Sequence, residues 1–350
     1  MNKSLKGVAI AAAAMITAGL LLAGVGWMAG GNQPIHIDKK GIHVGERGNP
    51  QLGGDLEEFS QDLESFESIS VDLDCYDVDL APGDKFAVHG AYLIDEGKPE
   101  IGIVNGRLEI KNKRLRMLNI DLDLPGLLFD DNQPNITITY PKDMELKDVV
   151  IRCDASDLSF ENVTAGKAEF DLDFGNLNLS GITADEIMAT MDSGSCTMEN
   201  IKAAGTLSIN NNFGKTTLSD AEAKILKVDS DSGDVSLSAV AFEKGEFKLN
   251  FGKLTAKEIK SGGLKVESDS GEVNIDGKLT GVTDISSDMG AVRVSPGGPR
   301  DHFNYELNAD LGSVTIGGDK ISGSAASSNP DAENSLKIST DMGEIHVEFD

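Results

Sequence analysis

Residues 265–276 read KVESDSGEVNID. An aliphatic residue is followed by polar ones, a small residue and glycine, and then by aliphatics at every second position. The phrase returns as VDSDSGDVSL at 228–237 and as ISSDMGAVRV at 285–294. With glycine as the marker, it recurs at Gly175, Gly194, Gly214, Gly233, Gly252, Gly271 and Gly290, at intervals of 19 or 20, and after longer excursions at Gly312 and Gly343. Two positions before each stands Asp or Asn: Asp173, Asp192, Asn212, Asp231, Asn250, Asp269, Asp288, Asp310 and Asp341. The fifth position before and the fourth after are apolar in every copy.

A fixed period of this length indicates stacked units, each unable to bury its apolar face alone. Alternation after the glycine, as in Val273 and Ile275, has the period of a half-buried strand. The Asp-x-Gly between strands is a turn, with glycine for positive φ and Asp or Asn bonding the local backbone. The expected fold is therefore all-β: a parallel β-solenoid, or single-stranded β-helix-like repeat, with rungs of 19–20 residues stacked about 4.8 Å apart. Val235, Leu254 and Val273 should then share one internal file.

Two glycine-free copies precede the series, VDLDCYDVDL (71–80) and IRCDASDLSF (151–160). An apolar position seven after the glycine (Ile182, Ile201, Val240, Ile259) predicts a second arm to the coil. The residue before glycine alternates as Phe174, Ser193, Phe213, Ser232, Phe251 and Ser270. This predicts one column of phenylalanines on every second rung with serines between, since rings on every rung would be crowded at 4.8 Å.

The chain has 350 residues and a net charge of −27. Such a field disfavours nucleic acid and anionic lipid headgroups as binding targets. At the N-terminus Lys3 and Lys6 precede an uncharged apolar run, Val8 to Met28, long enough to cross a bilayer as a helix. The expected organisation is a transmembrane anchor or uncleaved signal over 1–30, a linker over 31–66 and a β-repeat domain over 67–350. The expected location is a bacterial cell membrane, spanned once, with the bulk of the chain outside. Within the linker a small hairpin is expected around Lys39-Lys40-Gly41, and a short amphipathic helix from Leu56, Phe59, Leu63 and Phe66 at helical spacing. Residues 296–304 and 317–335, rich in Gly, Ser, Pro and Asn, read as surface loops. Cys75, Cys153 and Cys196 lack paired spacing for zinc or a redox couple and read as small filling residues.

The membrane segment, the FESISVDLDCYDVDLAPGD entry (66–84) and the DSGDV, DSGEV and DMGEI turns together resemble the bacterial β-strand-repeat family called putative adhesin, domain of unknown function 4097. The resemblance spans residues 66–350. It implies a protein of the cell envelope and carries no catalytic residues or cofactor.

The Asp/Asn column is the best candidate for chemistry. Stacked carboxylates could hold cations, with Asp231, Asp269 and Asp288 as the metal candidates. Asn212 and Asn250 hold the same position, however, and Asn shares turn geometry with Asp, not charge. The column therefore reads first as structural. The loop at 228–236 misses the EF-hand pattern, and the five histidines form no HExxH pair. The reading that results is a non-enzymatic, membrane-tethered envelope protein that presents an acidic scaffold for binding, adhesion or envelope-stress sensing. Its expected partner is an envelope protein or polysaccharide. The alternatives are a carbohydrate-active β-helix enzyme and a calcium-dependent structural rod.

Overall fold

The structure, a computed structural model, describes residues 56–112 and 134–350, together with the backbone of Ile35–Asp38 and Gly41–Val44. The chain divides into two units, 1–54 with 115–131, and 55–114 with 132–350. In the first, Ile35–Asp38 and Gly41–Val44 pair antiparallel, Ile37 opposite Ile42. The apolar run Val8–Met28 lies outside the described residues. Among those described, no helix is long and apolar enough to cross a membrane.

The second unit is a stack of parallel rungs. Each full rung is almost one continuous strand, such as Val235–Phe251, Leu254–Ser270 and Val273–Met289, broken only at the marker glycine and the residue after it. Equivalent residues stand over one another. Val235 pairs with Leu254 and Leu254 with Val273, so the expected internal file exists, and all three are buried. The file five residues before glycine runs Phe170, Ala189, Ile209, Val228, Phe247, Val266 and Ile285. The glycine-free copies join in register: Leu158 pairs with Val78 and Phe160 with Leu80.

Why glycine is required at the corner is clearest at Gly194. A Cβ there would lie 1.7 Å from the carbonyl oxygen of Gly175, and one at Gly214 would lie 1.9 Å from that of Gly194. From Gly194 onward glycine rests on glycine, so the turn needs it for close backbone approach as well as for its φ of +136° at Gly194. The ladder continues through the corner. Gly194 N donates to Phe213 O at 2.9 Å, and Gly233 N to Phe251 O at 3.0 Å.

A second corner, six residues after the glycine, is formed by residues in the left-handed region: Asn162, Gly181, Asn200, Asp220, Ala239 and Glu258, with φ between 51° and 67°. It delivers Ile182, Ile201, Val240 and Ile259, the expected second arm, into the core.

Rung order departs from chain order at both ends. The strand Asn334–Met342 pairs with Val273–Met289 on one side and Phe303–Ile316 on the other, so the last repeat in sequence slots in before the one preceding it. Gly343 accordingly lies against Gly290, and Gly312 against Gly343. Within 317–335, read as a loop, the segment Asp319–Ser327 is a strand antiparallel to Phe303–Ile316 and covers that end. Phe303 and Phe349 plug the core beneath it, with centroids 5.4 Å apart.

At the other end, Arg107–Lys111 and Asn135–Pro141 form the outermost rung, paired with Ser68–Leu73 and Asp77–Gly83. The expected helix at 56–66 is instead a strand, Leu56–Asp62, antiparallel to Ala87–Leu93. An edge offering unpaired N–H and C=O groups to Leu56–Asp62 outweighs a helical spacing that rests on four apolar residues.

Candidate functional site

The corner column sets the most distinctive surface. Its pairing runs Phe174, Ser193, Phe213, Ser232, Phe251, Ser270 and Met289, as the alternation predicts, and continues to Met342. Leu311 falls next, by the register of Ala309 on Thr340 and Ser313 on Glu344. The large side chains of this column project into solvent. Exposure is 52% at Phe174, 58% at Phe213, 61% at Phe251, 45% at Met289, 49% at Met342 and 73% at Leu311. Only four other large apolar side chains among the described residues are exposed to a comparable degree, and they are scattered. A contiguous apolar line of this kind marks an interaction surface.

Its chemistry changes along its length. From Phe174 to Met289 the large side chains stand two rungs apart, about 9.6 Å, with half-buried Ser193, Ser232 and Ser270 as notches between them. From Met289 to Leu311 they occupy consecutive rungs.

The Asp/Asn file runs beside the ridge. Asn212 Nδ2 donates to Asp192 Oδ1 at 2.9 Å, and Asn250 Nδ2 to Asp231 Oδ1 at 2.7 Å. Asparagine thus bridges rungs where a second carboxylate would repel. Towards the far end that relief stops: Asp269, Asp288, Asp341 and Asp310 are consecutive in register. No ion pair among the described residues engages Asp173, Asp192, Asp231, Asp269, Asp288 or Asp341. Nor, among those residues, does any group of three or more His, Cys, Asp or Glu have a metal-holding arrangement. Asp231, Asp269 and Asp288 are exposed members of a file, one per rung.

The opposite flank is internally neutralised. Lys253 Nζ lies 3.2 Å from Glu272 Oε2, and Arg293 Nη1 lies 3.4 Å from Glu272 Oε1. The hydrogen bond from Lys253 holds the Glu272 carboxyl below its usual range. The ridge therefore has an acidic bank without ion pairs among the described residues, and on its other side an ion-paired cluster of Lys253, Glu272 and Arg293.

A second feature is an open groove of about 920 Å³ on another face, floored by Ala165, Ala184, Ala203 and Phe242. Lys202, Lys224, Lys260 and Lys278 line it together with Glu145, Asp185, Glu222 and Glu243. The groove follows the repeat without interrupting it, and its charges are mixed. The alternation before glycine pointed to the ridge in the sequence, but nothing there showed that it faces solvent. The groove had no sequence signal, because its floor is a file of small residues on a face that the marker glycine does not report.

Fold and surface together define a class: a capped, parallel β-solenoid-like stack displaying a linear apolar ridge. The family profile described as Toastrack DUF4097 matches residues 66–348, and the chain belongs to that family. Among curated proteins, none matches.

Similar solved structures include a putative adhesin from Parabacteroides distasonis, 11% identical, covering 84% of this chain and 97% of that one at a TM-score of 0.40. A putative lipid binding protein from the same organism is 14% identical, covering 84% and 97%, at 0.34. A putative cell adhesion protein from Clostridium sporogenes is 12% identical, covering 85% and 100%, at 0.21. These global superpositions are poor, and the family assignment rests on the sequence match.

Proposed function

We propose that this chain is a non-enzymatic, membrane-tethered protein of the bacterial envelope whose repeat displays the ridge as a binding surface. The observation that supports this is the exposed file Phe174, Phe213, Phe251, Met289, Met342 and Leu311. Leaving such side chains in water gains the fold nothing, whereas burying each against a partner contributes about 1.5–3 kcal/mol. The apolar run Val8–Met28 supports tethering, with the repeat domain held outside the membrane. The family's adhesin-named relatives are in keeping with attachment to a protein or polysaccharide of the envelope.

The test is chemical crosslinking in cells expressing the full chain, followed by recovery of its partners. Wild type is compared with the double variant Phe213→Ala, Phe251→Ala. Partners held by wild type and lost from the variant support the reading. An identical set of partners from both, with the variant normally folded, overturns it.

A further inference from the structure

We infer that the ridge between Phe174 and Met289 docks a cationic polyproline II segment of another envelope protein, its axis running along the stack. The inference deepens the reading of the ridge as a binding surface and rests on it.

Large side chains two rungs apart repeat at about 9.6 Å. A polyproline II helix has three residues per turn and rises 3.1 Å per residue, giving about 9.3 Å per turn. Over the three steps from Phe174 to Met289 the two drift apart by about 0.9 Å. An α-helix repeats a face every seven residues, or about 10.5 Å, and drifts by about 2.7 Å over the same span. An extended strand places same-face residues about 6.6–6.8 Å apart and meets the ridge only irregularly.

A proline ring on every third residue enters the notch between neighbouring apolar side chains: Phe174 and Phe213 over Ser193, Phe213 and Phe251 over Ser232, Phe251 and Met289 over Ser270. The polyproline II backbone leaves its carbonyls without internal partners. The hydroxyls of Ser193, Ser232 and Ser270 are donors of the kind those carbonyls accept. Aromatic side chains lining a proline-sized slot are a recurring solution for recognising this conformation.

The acidic bank alongside, Asp173, Asp192, Asp231, Asp269 and Asp288, makes no ion pair among the described residues, whereas on the other bank Lys253 and Arg293 pair with Glu272. Lys or Arg on the flank of the docked segment supplies what is missing. A second copy of this chain is disfavoured as occupant, because two molecules of charge −27 repel.

The test uses purified full-length chain and three labelled peptides: five Pro-Pro-Arg triplets, five Pro-Pro-Gln triplets, and an amphipathic helix with leucines at heptad spacing and the same charge as the first. The expected order is Pro-Pro-Arg tightest. Phe213→Ala, and Ser232→Phe, which fills a notch, should each weaken it about tenfold. Circular dichroism of both variants confirms the fold. Equal or tighter binding of the helical peptide overturns the inference, as does Pro-Pro-Arg binding that Phe213→Ala leaves unchanged, which reports charge alone. Ridge-dependent self-association also overturns it. Absence of any peptide binding does so too, while ridge-dependent capture of partners in cells would leave the wider reading standing.

Discussion

The carbonyl oxygen of Gly252 lies 1.6 Å from where a Cβ on Gly271 would be. That oxygen belongs to the backbone, and each corner is hydrogen-bonded to the next, Gly252 N to Ser270 O at 3.1 Å and Gly271 N to Met289 O at 2.9 Å. Nothing there can swing aside. Gly271→Ala should therefore destabilise the protein by about 3–5 kcal/mol, from the clash together with the strain of an L side chain at φ +146°. Gly102→Ala is the control, since nothing lies within 4 Å of its new Cβ. Denaturant melts of both variants decide the matter. Equal midpoints would show that the corners are not stacked as described.

The second corner contains a correctable flaw. Ala239 and Glu258 hold the left-handed conformation at φ 54° and 55°, where Asn162, Asn200 and Gly181 do so at lower cost. Ala239→Gly should raise stability by about 0.5–1 kcal/mol, the relieved strain exceeding the added freedom of the unfolded chain. A fall in melting temperature would mean that Ala239 packs in a way that outweighs its backbone strain.

These two corners were unequally legible in the sequence. The Asp-x-Gly corner announces itself because one residue type recurs at a fixed interval. The other does not, since Asn, Gly, Asp, Ala and Glu all occupy it and share only a dihedral angle. The apolar files were readable throughout, as burial leaves few residue types. What the spacing could not show was the order of rungs at the end: 303–316 and 334–347 carry the same pattern, and only the strand Asp319–Ser327 excludes one of them from the interior. The ridge was legible as a column and illegible as a surface, because alternation of Phe with Ser suits an inward file as well as an outward one. Other inward files carry hydroxyls of their own. Ser268, Ser287 and Thr340 lie buried in register, their oxygens without a hydrogen-bond partner among the described residues, and no spacing rule distinguishes them from turn residues.

Cys196 lies fully buried between Leu177 and Thr216, and burial pushes its thiol from 9.0 to about 12. Cys153 is pushed equally far, mainly by burial, while Cys75 is exposed. In the unfolded chain both buried thiols ionise near their ordinary value, so the stability they contribute is complete below pH 9 and is lost progressively from there towards 12. At pH 10.5 each should cost about 2 kcal/mol. Cys196→Val, which matches Val235 and Val273 in the same file, should leave the melt at pH 7 nearly unchanged and reduce the alkaline loss. Native maleimide labelling should modify Cys75 alone, with all three cysteines reacting in urea. Labelling of Cys196 in the native state would place it outside the core.

Asp288 stands between Asp269 and Asp341, three carboxylates on successive rungs without the asparagine that separates Asp192 from Asp231 and Asp231 from Asp269. Neighbours about 4.8 Å apart repel by about 1 kcal/mol even at the dielectric of water. Asp288→Asn removes that repulsion on both sides and adds a donor that can reach Asp269, as Asn250 reaches Asp231 at 2.7 Å. Stability should rise by about 1 kcal/mol, and most at low ionic strength, because salt already screens the wild-type file. Melts at two salt concentrations, each with chelator and with millimolar calcium, separate this from cation binding. If calcium raises the wild-type melting temperature and Asp288→Asn abolishes that response, the file is a set of ligands and the structural account of it fails.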